Sequence, residues 1–389
     1  MNQVTDIIDF FGQHYKTPNL IVRAPARINL IGEHTDYNEG FVMPAAIDRT
    51  IYFAMGWRAE HSWQLHALDI SKSILLKLEE PSLPSEHWAK YFYAILLELR
   101  ARGWEPKGVH CVFGGDIPSG AGISSSAALT CGFIYALDQL HQWSLDGVEI
   151  AKIAQAAEHR VGLNCGIMDQ YAVLHGKQGK AIQLDCRSLT HQYAPVEIGD
   201  FRFVLFNSMV SHSLADTEYN KRRAACEAVV SFIQQHKPDV QTVRDLNASL
   251  LAAYEDQLEP LNVRRVRFVL SENERVLKAA AVLQQGDLKT FGQLMFQSHD
   301  GLSKVYEVSC EELDFLVDFV RPFSEQVLGA RMMGGGFGGC TLNLIHKDAI
   351  DLVYEQLAPA FEAVYGLRPD RHIVQLRDGV SLYPLNVNP

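Results

Sequence analysis

The chain of 389 residues lacks the marks of several large protein classes. No apolar run approaches the roughly 20 residues that a membrane helix needs, so no membrane partner is expected. The first residues, MNQVTDIIDFFGQHYK, hold no basic segment followed by an apolar block, which argues against a secretory signal. Seven cysteines, at 111, 131, 165, 186, 226, 310 and 340, are scattered and form no Cys-x-x-Cys pair. That spacing excludes a zinc ribbon and a disulfide framework, and predicts reduced thiols and a cytoplasmic location. Positive charge is in short supply: 35 Lys and Arg against 46 Asp and Glu leave a net charge of −11, which argues against a nucleic-acid-binding surface. There is no internal repeat, no low-complexity segment and no HExxH helix.

What is present is the composition of a soluble globular protein, 47% hydrophobic and 21% charged. The length is too great for one ordinary core and predicts two domains. Periodicity predicts strands at 20–31, 49–57, 62–68, 73–79, 108–115, 180–185, 201–208, 328–333, 340–346 and 372–376. Helices are expected over 87–102, 124–141, 146–160, 216–235, 260–285, 310–320 and 348–365. The class is α+β, with a strand-rich first unit at 1–197 and a second at 198–389, divided around Pro195 and Gly199.

Three stretches carry chemistry. PARINLIGEHTDYNEG, residues 25–40, begins as an apolar strand and turns abruptly polar behind Gly32. Arg27, Glu33, His34, Asp36, Tyr37 and Asn38 crowd into its mouth. A metal site, an acid–base pair and a cradle for a hydroxyl-rich ligand all fit this composition. The second stretch, GDIPSGAGISSSAALTCGFIYAL at 115–137, runs from a strand through glycines and three serines into a helix. Close backbone approach, free N–H groups at a helix start and hydroxyl donors suit a triphosphate. It is not a Walker A loop, since no Gly-Lys-Ser/Thr follows, and a serine-capped helix explains it equally well. The third, ARMMGGGFGGCTLNLI at 330–345, satisfies G-x-G-x-x-G formally but leads into a strand, so a glycine hairpin fits better than a dinucleotide fingerprint. Five glycines between 334 and 339 exceed what a turn needs and suggest close approach to a neighbouring loop or ligand.

PARINLIGEHTDYN, PSGAGISSSAA, CGIMDQ, TEYNKRR and MGGGFGG occur in the order found in galactokinases, members of the GHMP kinase superfamily, and the chain resembles that family over residues 22–345. The resemblance implies an N-terminal domain like ribosomal protein S5 domain 2, a ferredoxin-like C-terminal domain, and a cleft for ATP and sugar between them. It implies phosphorylation of galactose at its anomeric hydroxyl, by a monomer. A kinase for N-acetylgalactosamine, or a weakly catalytic regulatory relative, shares these motifs. By resemblance Glu33, His34, Thr35, Asp36, Gly166 and Tyr219 contact the sugar. Gly120, Ala121, Gly122, Ile123, Ser124, Ser125 and Ser126 hold ATP, and Ser126 and Glu158 hold magnesium.

The same resemblance makes Asp169 the base for the attacking hydroxyl, with Arg27 beside it, consistent with phosphoryl transfer by positioning and charge neutralisation. Taken singly, Asp169 reads as a helix-end acid, Arg27 as an edge-strand residue, Glu158 as a solvated helix position and Tyr219 as a helix-face aromatic. The chain departs from the family pattern in places. One residue fewer separates Glu158 from Asp169, Met333 stands where Thr precedes the triple glycine, and Thr130 replaces a Glu. Trp88, in WAKYFYA, is the position expected to stack on adenine.

Overall fold

Strand β1 (Leu20–Asn29) is buried at almost every position because both its faces are covered. Leu20, Val22 and Ala24 face one hydrophobic layer, while Ile21 joins Val4, Ile7 and Phe11 of helix α1 (Gln3–Tyr15) on the other side. The computed structural model describes residues 3–118, 122–211 and 215–385. In it β1 lies within a six-stranded sheet that also contains β3 (Pro44–Trp57), β4 (Ser62–Ala67), β5 (Lys72–Lys77) and β6 (Val109–Gly115). Its helical face carries α2 (His87–Ala101), α3 (Ser125–His141) and α4 (Gly147–Val161), with Trp63, Phe92 and Phe133 at the centre of the core. A short α5 (Met168–His175) and a three-stranded sheet of β2 (Phe41–Val42), β7 (Lys180–Asp185) and β8 (Thr190–Pro195) complete this half.

The second half opens with β9 (Phe201–Ser211) and α6 (Ala215–Gln234), followed by α7 (Ala248–Ala252), α8 (Pro260–Gln284), α9 (Leu288–Gly301) and α10 (Glu311–Val320). Then come β10 (Val327–Met332), β11 (Gly338–His346), α11 (Ile350–Tyr365) and β12 (Asp370–Val374). The sheet order β10-β11-β9-β12 is antiparallel throughout. Val204 and Phe206 pack on α10 and α11, whereas Phe203, Leu205, Leu342 and Leu344 face a core shared with Ile28, Leu30 and Met43 of the first half. One continuous core therefore spans both halves at the end of β1, and it fixes that end rigidly.

The strand and helix expectations agree with these elements to within a few residues, apart from β3, which starts earlier, at Pro44. Seven elements were not expected: α1, α5, α7, α9, β2, β8 and β13 (Ser381–Tyr383). Helix α9 contains Gly292, a poor helix former, because a Cβ there would lie 2.0 Å from the Leu328 carbonyl of β10. Strand β13 pairs with β1 through Ile21–Tyr383 and Val22–Leu382, so the chain returns to the first sheet after its second half is built.

Candidate active site

The polar stretch after β1 folds into a turn gripped from both sides. Gly32 takes φ +98°, and a Cβ there would meet Val276 at 2.7 Å and the Phe41 carbonyl at 2.9 Å. A 3-10 turn covers Asp36–Asn38, and Asn38 donates from Nδ2 to the His34 carbonyl at 2.9 Å. From the second half, α8 presents Glu272 and Asn273. Glu272 accepts the Gly32 N–H at 3.0 Å and Asn273 Oδ1 accepts the Phe41 N–H at 2.8 Å, so both ends of the turn are clamped. Glu272 is fully buried and also accepts from Ser298 and Arg275, at 2.6 and 2.7 Å, which satisfies a carboxylate that would otherwise be costly there.

Glu33, His34 and Asp36 line one cavity of about 260 Å³. Glu33 Oε1 accepts the Gly334 N–H at 2.8 Å and lies 3.3 Å from Arg331 Nη2, which ties the first turn to the glycine hairpin. Burial pushes the Glu33 carboxyl up, against the pull of Arg331 and Arg27. His34 sits at φ +63°, a backbone region costing roughly 1–2 kcal/mol for a residue with a side chain. Its Nδ1 lies 2.8 Å from the Tyr37 hydroxyl, which in turn meets the Tyr306 hydroxyl at 2.8 Å. Burial brings the His34 pKa down to about 3 against the Gly335 backbone, so the ring is neutral, and its Nε2 makes no hydrogen bond of ordinary geometry in the protein. Asp36 is pushed up to about 7, first by burial and then by the negative charge of Asp169.

Arg27 and Asp169 form the floor. A bulge in the β1–β3 register between Pro25 and Arg27 re-aims the arginine, whose N–H turns to the Ile123 carbonyl at 3.2 Å. Nε and Nη2 of Arg27 donate to the two Asp169 oxygens, each at 2.8 Å, and Nη1 donates to the Gly122 carbonyl at 2.6 Å. The fork thus joins the catalytic carboxylate expected from the sequence to the glycine–serine loop. Burial works against the charge on Arg27, but Asp169, Glu33 and Asp36 together outweigh it and the pKa is raised.

Helix α3 begins at Ser125, and Ser124 precedes it at φ +62° with no side-chain capping bond, so capping alone does not account for the serines. Ser126 instead donates to Glu158 at 2.9 Å. Glu158 is 1% exposed and also receives Gln170 Nε2 at 2.8 Å. Burial, and next to it Asp169, push its carboxyl up to about 7 against the hydrogen bonds from Gln170, Ser126 and Thr130. Helix α4 stops at Gly162, φ +105°, where the Leu163 N–H reaches back to the Glu158 carbonyl at 3.1 Å. The loop after it folds onto α4, with His159 Nε2 2.8 Å from the Cys165 carbonyl, so the shorter spacing still brings Glu158 to Ser126 and Asp169 to Arg27. Among the described residues no group of three His, Cys, Asp or Glu is arranged to hold a metal ion.

The glycine hairpin closes the cavity from the second half. Added Cβ atoms would stand 3.3 Å from the Gly122 carbonyl at Gly334, 3.4 Å from the Tyr219 ring at Gly335 and 1.9 Å from the Val308 carbonyl at Gly336. A side chain is therefore excluded at Gly336 by Val308 and tight at Gly334 against Gly122, Gly335 stands at ordinary contact distance from Tyr219, and Gly334, Gly336, Gly338 and Gly339 all take positive φ. Met333 packs in the shared core.

The sequence-expected residues thus largely converge: Arg27, Glu33, His34, Asp36, Asp169 and Tyr219 face one cavity, with Gly122, Ser126 and Glu158 next to its floor. Ile123, Ser124, Ser125, Thr35, Gly166 and Trp88 do not line it, and Ile123 is buried in the shared core. The Thr35 hydroxyl turns inward, 2.6 Å from the Phe41 carbonyl, and holds the turn. Gly166 lies behind Asp36, and Trp88 packs beside Phe92 and Phe113. Gly120 and Ala121 lie outside the described residues, as does Ser213 of the segment before Tyr219. Arg331, Gln170, Glu272 and Asn273 were not anticipated, although a fully buried arginine in an apolar strand signals that a carboxylate must answer it.

Comparison with known proteins follows the same outline. Residues 9–56 match the galactokinase galactose-binding signature, 90–177 the GHMP kinases N terminal domain and 279–363 the GHMP kinases C terminal domain. The chain is 38% identical to a galactokinase of Roseiflexus sp. (strain RS-1), with 97% of each chain covered. The chain belongs to the galactokinase family. A Chloroflexus aurantiacus galactokinase is 40% identical, covering 98% of both chains, and a Thermotoga maritima one 37%, covering 92% of this chain and 99% of its own. The solved structure of Lactococcus lactis galactokinase complexed with galactose superposes with a TM-score of 0.91 at 30% identity, covering 98% of this chain and all of that one. The mevalonate kinase of Methanococcus jannaschii, at 19% identity and TM-score 0.64 over 92% of this chain and 98% of its own, shares the fold. The expected two-part α+β GHMP kinase architecture is therefore present.

Proposed function

We infer that the chain transfers the γ-phosphoryl group of ATP to the anomeric hydroxyl of D-galactose, giving galactose 1-phosphate and ADP. The observation that carries this reading is the bidentate Arg27–Asp169 pair on the floor of a cavity walled by Glu33, His34 and Asp36. A sugar hydroxyl both donates and accepts, so it can answer the His34 Nε2, which lacks a hydrogen bond of ordinary geometry, and the Asp36 carboxyl together. Asp169 takes the proton of the attacking hydroxyl, and Arg27 orients that carboxylate through two hydrogen bonds while offsetting charge on the transferring phosphoryl group. The start of α3, with Ser125 and Ser126, receives the phosphates.

Ser126 and Glu158 are an all-oxygen pair suited to magnesium, an ion that commonly takes one or two carboxylates and completes its shell with phosphates and water. Held by Ser126 and Glu158, such an ion would supply neutralisation of the phosphate charge. Seven free cysteines suit a reducing compartment such as the cytoplasm. Among the described residues no helix is long and apolar enough to cross a membrane.

ADP release measured across a panel of free sugars tests the reading. Galactose should be phosphorylated and glucose nearly untouched, since buried polar groups left unpaired by the wrong epimer can discriminate by about 10⁴. Asp169→Asn should lower turnover by about 10²–10⁴ while galactose still binds. Comparable kcat/KM for the two sugars would remove the galactose assignment, and near-wild-type turnover in the variant would remove Asp169 from the reaction.

A further inference from the structure

A groove between α6 and α8 gathers positive charge on a chain whose net charge is −11. Lys221, Arg222 and Arg265 line it, with Glu218 the one carboxylate among its described lining residues. Two of the cations are occupied. Lys221 Nζ lies 2.7 Å from Glu218, and Arg222 reaches Glu218 and the Tyr306 and Glu307 carbonyls. Arg265 is different: it is 8% exposed, it makes no hydrogen bond or ion pair among the described residues, and its Nε is buried without a partner. A guanidinium taken out of water without an answering group is costly, and its planar fork matches a tetrahedral oxyanion. The start of α8 does not supply the attraction, because Glu259 already accepts the Asn262 N–H at 2.9 Å. The side chains do.

We propose that this groove is a binding site for a phosphate group, held by Arg265 with Lys221 and Arg222 beside it and separate from the sugar cavity. Its open form, about 570 Å³, leaves the organic part of a phosphate monoester facing solvent. The same helical turn contributes Tyr219 and Asn220 to the sugar cavity, so the test must fill that cavity first.

The experiment titrates inorganic phosphate, and glycerol 1-phosphate in parallel, into the protein held with saturating galactose and a non-hydrolysable ATP analogue. Thermal midpoint is read at constant ionic strength against chloride. Saturable stabilisation by either phosphate ligand upholds the site, and the stronger of the two tells a monoester from the free anion. Arg265→Gln should raise the half-saturating concentration by about tenfold or more, as expected for a lost charge-assisted bond. Since that residue is buried, Lys221→Glu at an exposed position serves as a second variant that keeps the fold, and should also weaken binding by about tenfold. No stabilisation beyond chloride, or a titration unchanged in a folded variant of both positions, overturns the proposal.

Discussion

A methyl group at Gly166 should disable sugar binding and leave nucleotide binding alone. A Cβ there would lie 2.0 Å from Asp36 Oδ2 and 2.1 Å from its Cγ, where ordinary contact begins at 3.4 Å. Something must shift by about 1.4 Å. The Gly166 backbone resists, because the Cys165 carbonyl is held by His159 and Gln155, at 2.8 and 3.2 Å, and α5 begins two residues later. The Asp36 side chain is the softer partner, held by the Tyr37 N–H at 2.9 Å and by the Met168 backbone rather than by covalent geometry. Rotating it away forfeits its bond to a sugar hydroxyl, worth about 1.5–3 kcal/mol, or roughly 10- to 150-fold in affinity. Steady-state kinetics on Gly166→Ala, coupled to ADP release, should show KM for galactose raised by roughly that factor and KM for ATP within about twofold. An unchanged galactose KM in a folded variant would mean that Asp36 does not read the sugar, and equal rises for both substrates would mean general damage.

Three further outcomes follow from the same geometry. Glu272→Gln keeps a group able to accept the Gly32 N–H but loses its charge toward Arg275; it should raise galactose KM several-fold with ATP KM unchanged, and a fall in kcat alone would contradict a role in setting the turn. Asp36 has a folded pKa raised to about 7, so its contribution to stability is complete below the ordinary carboxyl range near 4 and is lost as pH rises through about 7. The ligand-free protein should therefore lose thermal midpoint between pH 5 and 8, and Asp36→Asn should flatten that slope; an identical slope in the variant would refute the assignment. Glu158→Ala should raise the magnesium concentration for half-maximal rate without altering galactose affinity, and an unchanged magnesium titration would place the ion elsewhere.

Much of this site was legible because its residues cluster in short segments. The turn after β1, the serines opening α3 and the glycine hairpin each announce themselves by local composition, and their order carries the family resemblance. The clamp on the turn is harder to see, since Glu272 meets Gly32 across 240 positions of sequence. A signal was nevertheless present: Glu272 and Asn273 sit on the same α8 stripe as Val269 and Val276, all buried, and a polar pair on an apolar stripe requires partners. Strand β13 gave no such signal. Three residues cannot show a period, and only pairing with β1 makes them a strand.

The crowding of polar side chains between 33 and 38 has a physical division of labour that composition could not reveal. Thr35 and Asn38 spend their polar groups on backbone carbonyls of the turn, and Tyr37 spends its hydroxyl on His34 and Tyr306. These are the residues that make the turn self-sufficient, as buried polar groups must be. Glu33, His34 and Asp36 alternate with them and face the cavity, and there the accounting is left open. His34 keeps a nitrogen without a hydrogen bond of ordinary geometry, while Asp36 and Glu33 are both pushed toward protonation by burial. A strained, neutral histidine and reluctant carboxylates cost the fold stability, which the proposed hydroxyl-bearing ligand would return on binding. It is these costly groups, more than the density of polar residues in the stretch, that support the sugar site proposed above.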